Sequence, residues 1–223
     1  MIALLLVVLL FSGLAQGQDC AAPVRDLTAA SEDERDKAAR ALAECWGQRE
    51  VDGLVADQLR KSVRMGNVAA AALLLLGAAA DDESKALLRE RQTMPRVQLK
   101  WAHNTQPVSE GLVAATARLR FAAEEARPVV LRALEKKDIA EVRFFLDAVD
   151  YVEDREVLRR IVELLGDTRA VPNEFRRRLC DYALPRLVRK LKLKVSFDVR
   201  DYGRYSEAQL EEARKLAVAA VGG

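Results

Sequence analysis

The alternation of apolar and polar positions predicts a succession of helices. Val51, Leu54, Val55, Leu59 and Val63 recur at steps of three and four before Gly66, the pattern of an amphipathic helix with one buried face. Upstream, Ser31-Glu32-Asp33-Glu34 has capping-box spacing, and Ala38, Leu42, Cys45 and Trp46 then share a face. The run from Val68 to Ala80 is apolar on every side. Such a helix must be enclosed by other elements, and its 13 residues are too few to span a bilayer. Asp81-Asp82 then opens a short helix that ends near Arg91. Over 92–108 the period changes: Val97, Leu99, Trp101 and His103 alternate with polar residues, which predicts a strand or an extended excursion.

Helical spacing resumes at Ser109, with Leu112, Thr116, Leu119 and Ala123 as the apolar positions, and Pro128 is placed to open a further helix from its first turn. Asp138 begins the next, with Ile139, Val142, Phe145, Leu146 and Val149 as its stripe. Asp154 begins another, carried by Val157, Leu158, Ile161, Val162 and Leu165 and ended by Gly166. Asn173 is the expected cap of the helix holding RRRLCDYALPRLVRKL. Ser206 and Gln209 open the last helix, on which Leu210, Ala213, Leu216 and Ala217 line up. From about 125 onwards the helices come in pairs. Equivalent positions are separated by roughly 27 residues at the first helix of a pair and by somewhat over 30 at the second, in or just below the period of helical repeats whose units bury their faces only by stacking.

Composition supports an all-α reading. Half of the residues are hydrophobic, 31% are charged and only 5% aromatic, with good helix formers dominant. The formal net charge of +2 excludes a wholesale electrostatic affinity for nucleic acid and leaves local clustering as the only charge argument. Such a cluster exists between Arg176 and Arg204. Wheeled at 100° per residue from Phe175, Cys180, Ala183, Leu184, Leu187, Val188 and Leu191 fall on one face. Arg178, Tyr182, Arg186, Arg189, Lys190 and Lys192 fall on the other, together with Pro185. Arg178, Arg186, Arg189, Lys190 and Lys192 are therefore the candidate basic binding face, and Cys180 is a core residue rather than a nucleophile.

The first residues, MIALLLVVLLFSGLAQGQDC, pass from an apolar run into small residues, which predicts a secretory signal over 1–17 and a mature chain from 18 to 223 forming one domain. A single anchoring helix and a lipid-modified Cys20 are the competing readings of this stretch. Export would place the three cysteines in an oxidising compartment, periplasmic or extracellular, where Cys20 and Cys45 form a candidate disulfide. His103 is the single histidine, and no Cys-x-x-Cys pair occurs. The sequence therefore names no metal ligands, no cofactor and no catalytic group.

LLGDTRAV followed by RRLCDYAL resembles the bacterial HEAT repeats, helix pairs with Asp at the turn and Arg early in the second helix. The resemblance covers about 125–191 and is degenerate over 31–91. The turn at 168–173 is longer than the pattern, and 92–108 interrupts it. It implies an α-solenoid of stacked antiparallel pairs. It also implies that Asp167 accepts hydrogen bonds from the start of the second helix, or from Arg177 or Arg178. The expected function is an exported binding or scaffold protein that presents a surface to a protein partner, an acidic one being among the candidates, with no catalysis of its own, no specific nucleic acid and no transmembrane span. Two alternatives stand beside it: an anion-binding or envelope-contacting module using the basic C-terminal helix, and a lyase or hydrolase using His103 with nearby carboxylates.

Overall fold

The computed structural model describes residues 53–222 apart from 67, 80, 95–97, 102–103, 137, 172–173 and 175, together with a few positions between 26 and 41. The expectations for 1–17, Cys20, Cys45 and His103 lie outside the described residues. Within them the chain is all-α with one small hairpin. Helices α1 (Gly53–Arg64), α2 (Ala70–Ala79) and α3 (Asp82–Gln92) precede strands β1 (Gln98–Trp101) and β2 (Asn104–Ser109). There follow α4 (Glu110–Arg118), α5 (Ala123–Lys136), α6 (Ile139–Asp147), α7 (Arg155–Val162), α8 (Leu179–Leu191) and α9 (Glu207–Gly222), with 3-10 turns at Val149–Tyr151 and Glu163–Gly166. No helix among the described residues is long and apolar enough to cross a membrane.

Side-chain caps set several of the starts. Asp81 accepts from the Ser84 N–H at 2.8 Å, Asp138 from those of Ala140 and Glu141, and Asp154 from those of Glu156 and Val157. Each satisfies N–H groups that the first turn leaves without a carbonyl, for about 1 kcal/mol. Ser206 and Gln209 exchange bonds in both directions at the head of α9. Pro128 does not open a helix. α5 starts five residues earlier, where Ala122 accepts from Glu125 and Ala126, and Pro128 lies in its second turn on the exposed side. There its missing N–H costs one bond at the water-facing edge rather than in the core.

Consecutive helices from α1 to α6 pack on one another, and so do α8 and α9. Helices also pack on the next but one: α1 on α3, α2 on α4, α5 on α7, α6 on α8 and α7 on α9. The hairpin pairs Leu99 with Val108, both buried, and lies against α2, α4 and α6. Its first strand lies within the segment for which the sequence predicts an extended chain, with Leu99 on the buried side. The second strand, NTQPVS, has no apolar–polar alternation and carries Pro107, which a two-stranded sheet tolerates because both its strands are edges.

α2 is enclosed as its sequence requires, with nine of its ten residues buried, and α4 is more so, with all nine of its residues buried. On α1 the buried face is Val55, Ala56, Leu59 and Val63, whereas Leu54 is 76% exposed. Leu54 is nine residues from Val63, half a turn away at 100° per residue, so it points outward despite its apolar spacing. Two helices approach closely at Gly77. A Cβ built there would fall on the Ala117 carbonyl, about 3.0 Å from its carbon, so α2 and α4 meet backbone to backbone. Gly77→Leu should therefore lower stability to urea by about 3 kcal/mol through overpacking, whereas Gly166→Ala, where a Cβ meets nothing, should change it by less than about 0.5 kcal/mol.

Candidate functional site at the C-terminal helices

The loop before α8 decides which basic residues are helical. Val171 N–H donates to the Arg177 carbonyl at 2.8 Å, Leu179 N–H to Arg169 and Cys180 N–H to Asp167, so 167–171 runs back along 177–180. An isolated bridge joins Ala170 to Arg178, and Arg176 takes a left-handed φ of 57°. α8 consequently begins at Leu179 rather than after Asn173, because the first N–H groups of the helix are satisfied by loop carbonyls instead of by an Asn cap. Arg176, Arg177 and Arg178 precede the helix, and the wheel drawn through them does not apply. The Asp167 carboxylate accepts from the Arg169 N–H at 3.0 Å and from its guanidinium at 2.7 Å. The partner of Asp167 is thus Arg169, not Arg177 or Arg178.

The five residues of the candidate basic face do not form a free cationic surface. Arg178 makes two bonds of 2.8 Å to Asp181 and one of 2.7 Å to the Tyr205 carbonyl. Arg186 grips Asp147 of α6 through Nε at 3.0 Å and Nη2 at 2.7 Å. Arg189 pairs with Asp201 at 2.6 Å, and Lys190 donates to the Asp150 carbonyl at 2.9 Å. Lys192 alone of the five is an exposed cation with none of these ties. It occupies the left-handed position that ends α8, where its N–H and that of Leu193 close on the Arg189 and Val188 carbonyls. The face is covered because α8 lies between α6 and the segment 193–206. For the same reason Pro185 and Tyr182, placed on the polar side by the wheel, are both buried.

Tyr182 is the centre of this face. Its hydroxyl donates to Asp147 at 2.6 Å, and its ring meets the guanidinium carbons of Arg186, Arg177 and Arg143 at 3.6, 4.4 and 5.1 Å from the centroid. Arg143 and Arg177 both bind Glu174, at 2.6 and 2.8 Å. The cluster joins α6, the 167–178 loop and α8, and cation–π contacts of this kind are worth about 1 kcal/mol or more when water is excluded.

Its chemistry is that of a fastening. Burial, with the Asp147 carboxylate beside it, pushes the Tyr182 phenol up to about 12, away from acid–base work near neutrality. Burial, with Asp181 next to it, also raises the Cys180 thiol, and Cys180 is fully buried with a free sulfur. A thiol of that kind is not a nucleophile. The second buried charge cluster, at the junction of α3 and α4, has Arg91 on Glu110 at 3.4 Å and on the Val63 carbonyl at 3.1 Å. Burial raises Glu110, and Arg91 only partly offsets it. No group of three or more metal-ligating side chains occurs among the described residues.

Asp147, Glu174, Asp201 and Tyr205 are the partners that sequence reasoning missed. Their ties to α6, to α8 and to Asp181 span 12 to 39 residues, so no local spacing announces those. Only the Arg178–Asp181 and Glu174–Arg177 pairs, each three residues apart, were within reach. Fold and cluster together define an all-α protein whose C-terminal arginines are structural ties. No protein family matches the chain, nor does any curated protein or solved structure.

Asp181 is the most demanding of these ties. It is fully buried and accepts from the Arg178 backbone N–H, twice from the Arg178 guanidinium, and from the Tyr205 N–H at 3.0 Å. Burial alone would raise its pKa. The Arg178 and Tyr205 bonds outweigh that and hold it below the usual carboxylate value. Because the folded value is depressed, the stabilisation is present above the unfolded pKa and fades as pH falls through the folded one. Asp181→Asn should cost about 3 kcal/mol at pH 7. Urea titrations of wild type and variant from pH 7 down to pH 3 should show the gap narrowing below about pH 4.

Proposed function

We propose that this chain is an exported α-solenoid of HEAT-like helix pairs that presents a surface to a protein partner and carries out no catalysis itself. The observation that supports the solenoid reading is the packing of five helix pairs, α1 on α3, α2 on α4, α5 on α7, α6 on α8 and α7 on α9, each on the next but one. Such packing arises when helix pairs stack side by side and each covers the apolar face of its neighbour. The hairpin between α3 and α4 is then an insertion that fills the layer containing α2, α4 and α6. The reading as a binding protein draws on chemistry. The buried titratable groups fasten elements together, while a 76% exposed leucine and an 89% exposed tyrosine stand at the surface. Residues 1–17 are assigned as a secretory leader from their apolar run and small-residue ending.

The anion-binding alternative loses most of its support, because four of its five cations are engaged within the protein. Retention of a partner by the tagged chain, incubated with envelope and secreted extracts of the source cell at about 0.15 M salt, tests the reading. A discrete protein held at fixed stoichiometry is expected, with the mature chain beginning at residue 18 by N-terminal sequencing. An empty column, or turnover of a small substrate by the chain alone, would refute it.

A further inference from the structure

Between α8 and α9 the chain makes a tight turn that is fixed on all sides yet holds an aromatic ring in water. Gly203 N–H closes on the Arg200 carbonyl at 3.0 Å, leaving Asp201 and Tyr202 at the corner. The Asp201 carbonyl is held by the Arg177 guanidinium and its carboxylate by Arg189 at 2.6 Å. The Tyr205 hydroxyl accepts from the Arg200 N–H at 2.8 Å and donates to the Arg200 carbonyl at 2.6 Å, bracing the base of the turn. Tyr205 is in turn tied through its N–H to buried Asp181, and its ring lies 5.9 Å from Phe197. Gly203 is needed here, because a Cβ would come within 2.8 Å of the Tyr205 hydroxyl. Tyr202 at the tip is 89% exposed, its ring 5.2 Å from the Arg177 guanidinium carbon.

An exposed tyrosine on a loose loop is unremarkable, but this one is pre-positioned. An anchor whose backbone is already fixed binds without the entropy of ordering a loop, and tyrosine is among the residues that most often dominate interfaces. The charge around it selects the partner. Lys192, Lys194 and Arg204 are exposed along the segment, while the Asp198 carboxylate is taken by Arg200 at 2.8 Å and that of Asp201 by Arg189. Arg204 lies two residues from Tyr202. A nucleic-acid backbone draws its affinity from about six to ten phosphate contacts, more than these cations supply. Discrete carboxylates on a polypeptide can pair with them.

We infer that the 200–204 turn is the docking point for an acidic polypeptide segment, with Tyr202 as its anchor and Arg204 as its charged rim. The inference rests on the binding-protein reading and names the surface and the partner's chemistry. The test uses the full chain and fluorescence anisotropy with a fluorescein-labelled octapeptide of glutamates and leucines. Its lysine–leucine twin, an oligothymidylate and phosphatidylglycerol vesicles serve as competitors. The acidic peptide should bind and the basic one should not. Tyr202→Ala, an exposed change that leaves the fold intact by circular dichroism, should weaken binding about thirtyfold. Gly203→Val, which unseats the turn without altering the exposed chemistry, should weaken it in the same direction. Absence of acidic-peptide binding, equal affinity in Tyr202→Ala, or tighter binding to the oligothymidylate or the vesicles overturns the inference. If a partner captured from extracts is held equally by wild type and Tyr202→Ala, the inference fails while the binding-protein reading stands.

Discussion

The arrangement of the C-terminal third depends on one buried carboxylate. Asp181 lies in the first turn of α8 with no access to water, where an unpaired charge would cost several kcal/mol. It is tolerated because its two oxygens accept four hydrogen bonds, which is about the full capacity of a carboxylate. Those bonds come from two places in the chain, Arg178 before the helix and Tyr205 after the segment that follows it. Asp181 therefore sets both where α8 begins and where the returning chain must lie. Once Tyr205 is held there, its hydroxyl can brace Arg200, and Leu193, Val195, Phe197 and Val199 are drawn onto the core while the residues between them stay exposed.

A different constraint governs the N-terminal half. α2 has no polar face, so every side of it must be covered, and α1, α3, α4 and the hairpin all pack on it. Covering a helix that closely requires a residue without a side chain where the backbones meet, which is the role of Gly77 against Ala117. Ala70, Ala71, Ala72 and Ala78 keep the rest of α2 slim enough for the same packing. The polar fastenings here stay at the helix ends: Arg60 of α1 reaches Ser84 at 2.9 Å and Asp81 at 2.7 Å, at the head of α3. The register of one half of the described chain is thus set mainly by shape and that of the other by charge.

This difference explains what could be read from the residues beforehand. Elements that announce themselves by local chemistry were legible: the caps at Asp81, Asp138, Asp154 and Ser206, the stripe of α7, the enclosure of α2 and the burial of Cys180. Helical starts that depend on distant groups were not. α8 begins late because loop carbonyls twelve or so residues upstream take its first N–H groups, and no cap residue marks that event. The same limit applied to the candidate site. A wheel places side chains around one helix and is silent about what lies on its polar side. Tyr182 and Pro185 were therefore assigned to water, although α6 and the returning segment cover them. Arginine in particular misleads in this way, since its fork can bury against a carboxylate and an aromatic ring at once.

The arginine ties are better understood as specifying register than as supplying stability. Buried or half-buried ion pairs return little net free energy once desolvation is counted, whereas the apolar residues of α6 and α8, among them Phe144, Phe145, Leu184 and Leu187, are fully buried. Apolar contact of that kind would nearly survive a slide of one helix along the other. The Arg186 fork on Asp147 would not. Two nitrogens must reach one carboxylate oxygen that also accepts from the Tyr182 hydroxyl 2.6 Å away, and a shift of one residue turns Arg186 through 100° and takes it off half-buried Asp147. Such a penalty discriminates between registers even where it adds nothing to the correct one. It also fixes the height at which Arg177 and Arg189 meet Asp201, so the exposure of Tyr202 follows from the register of α8 on α6.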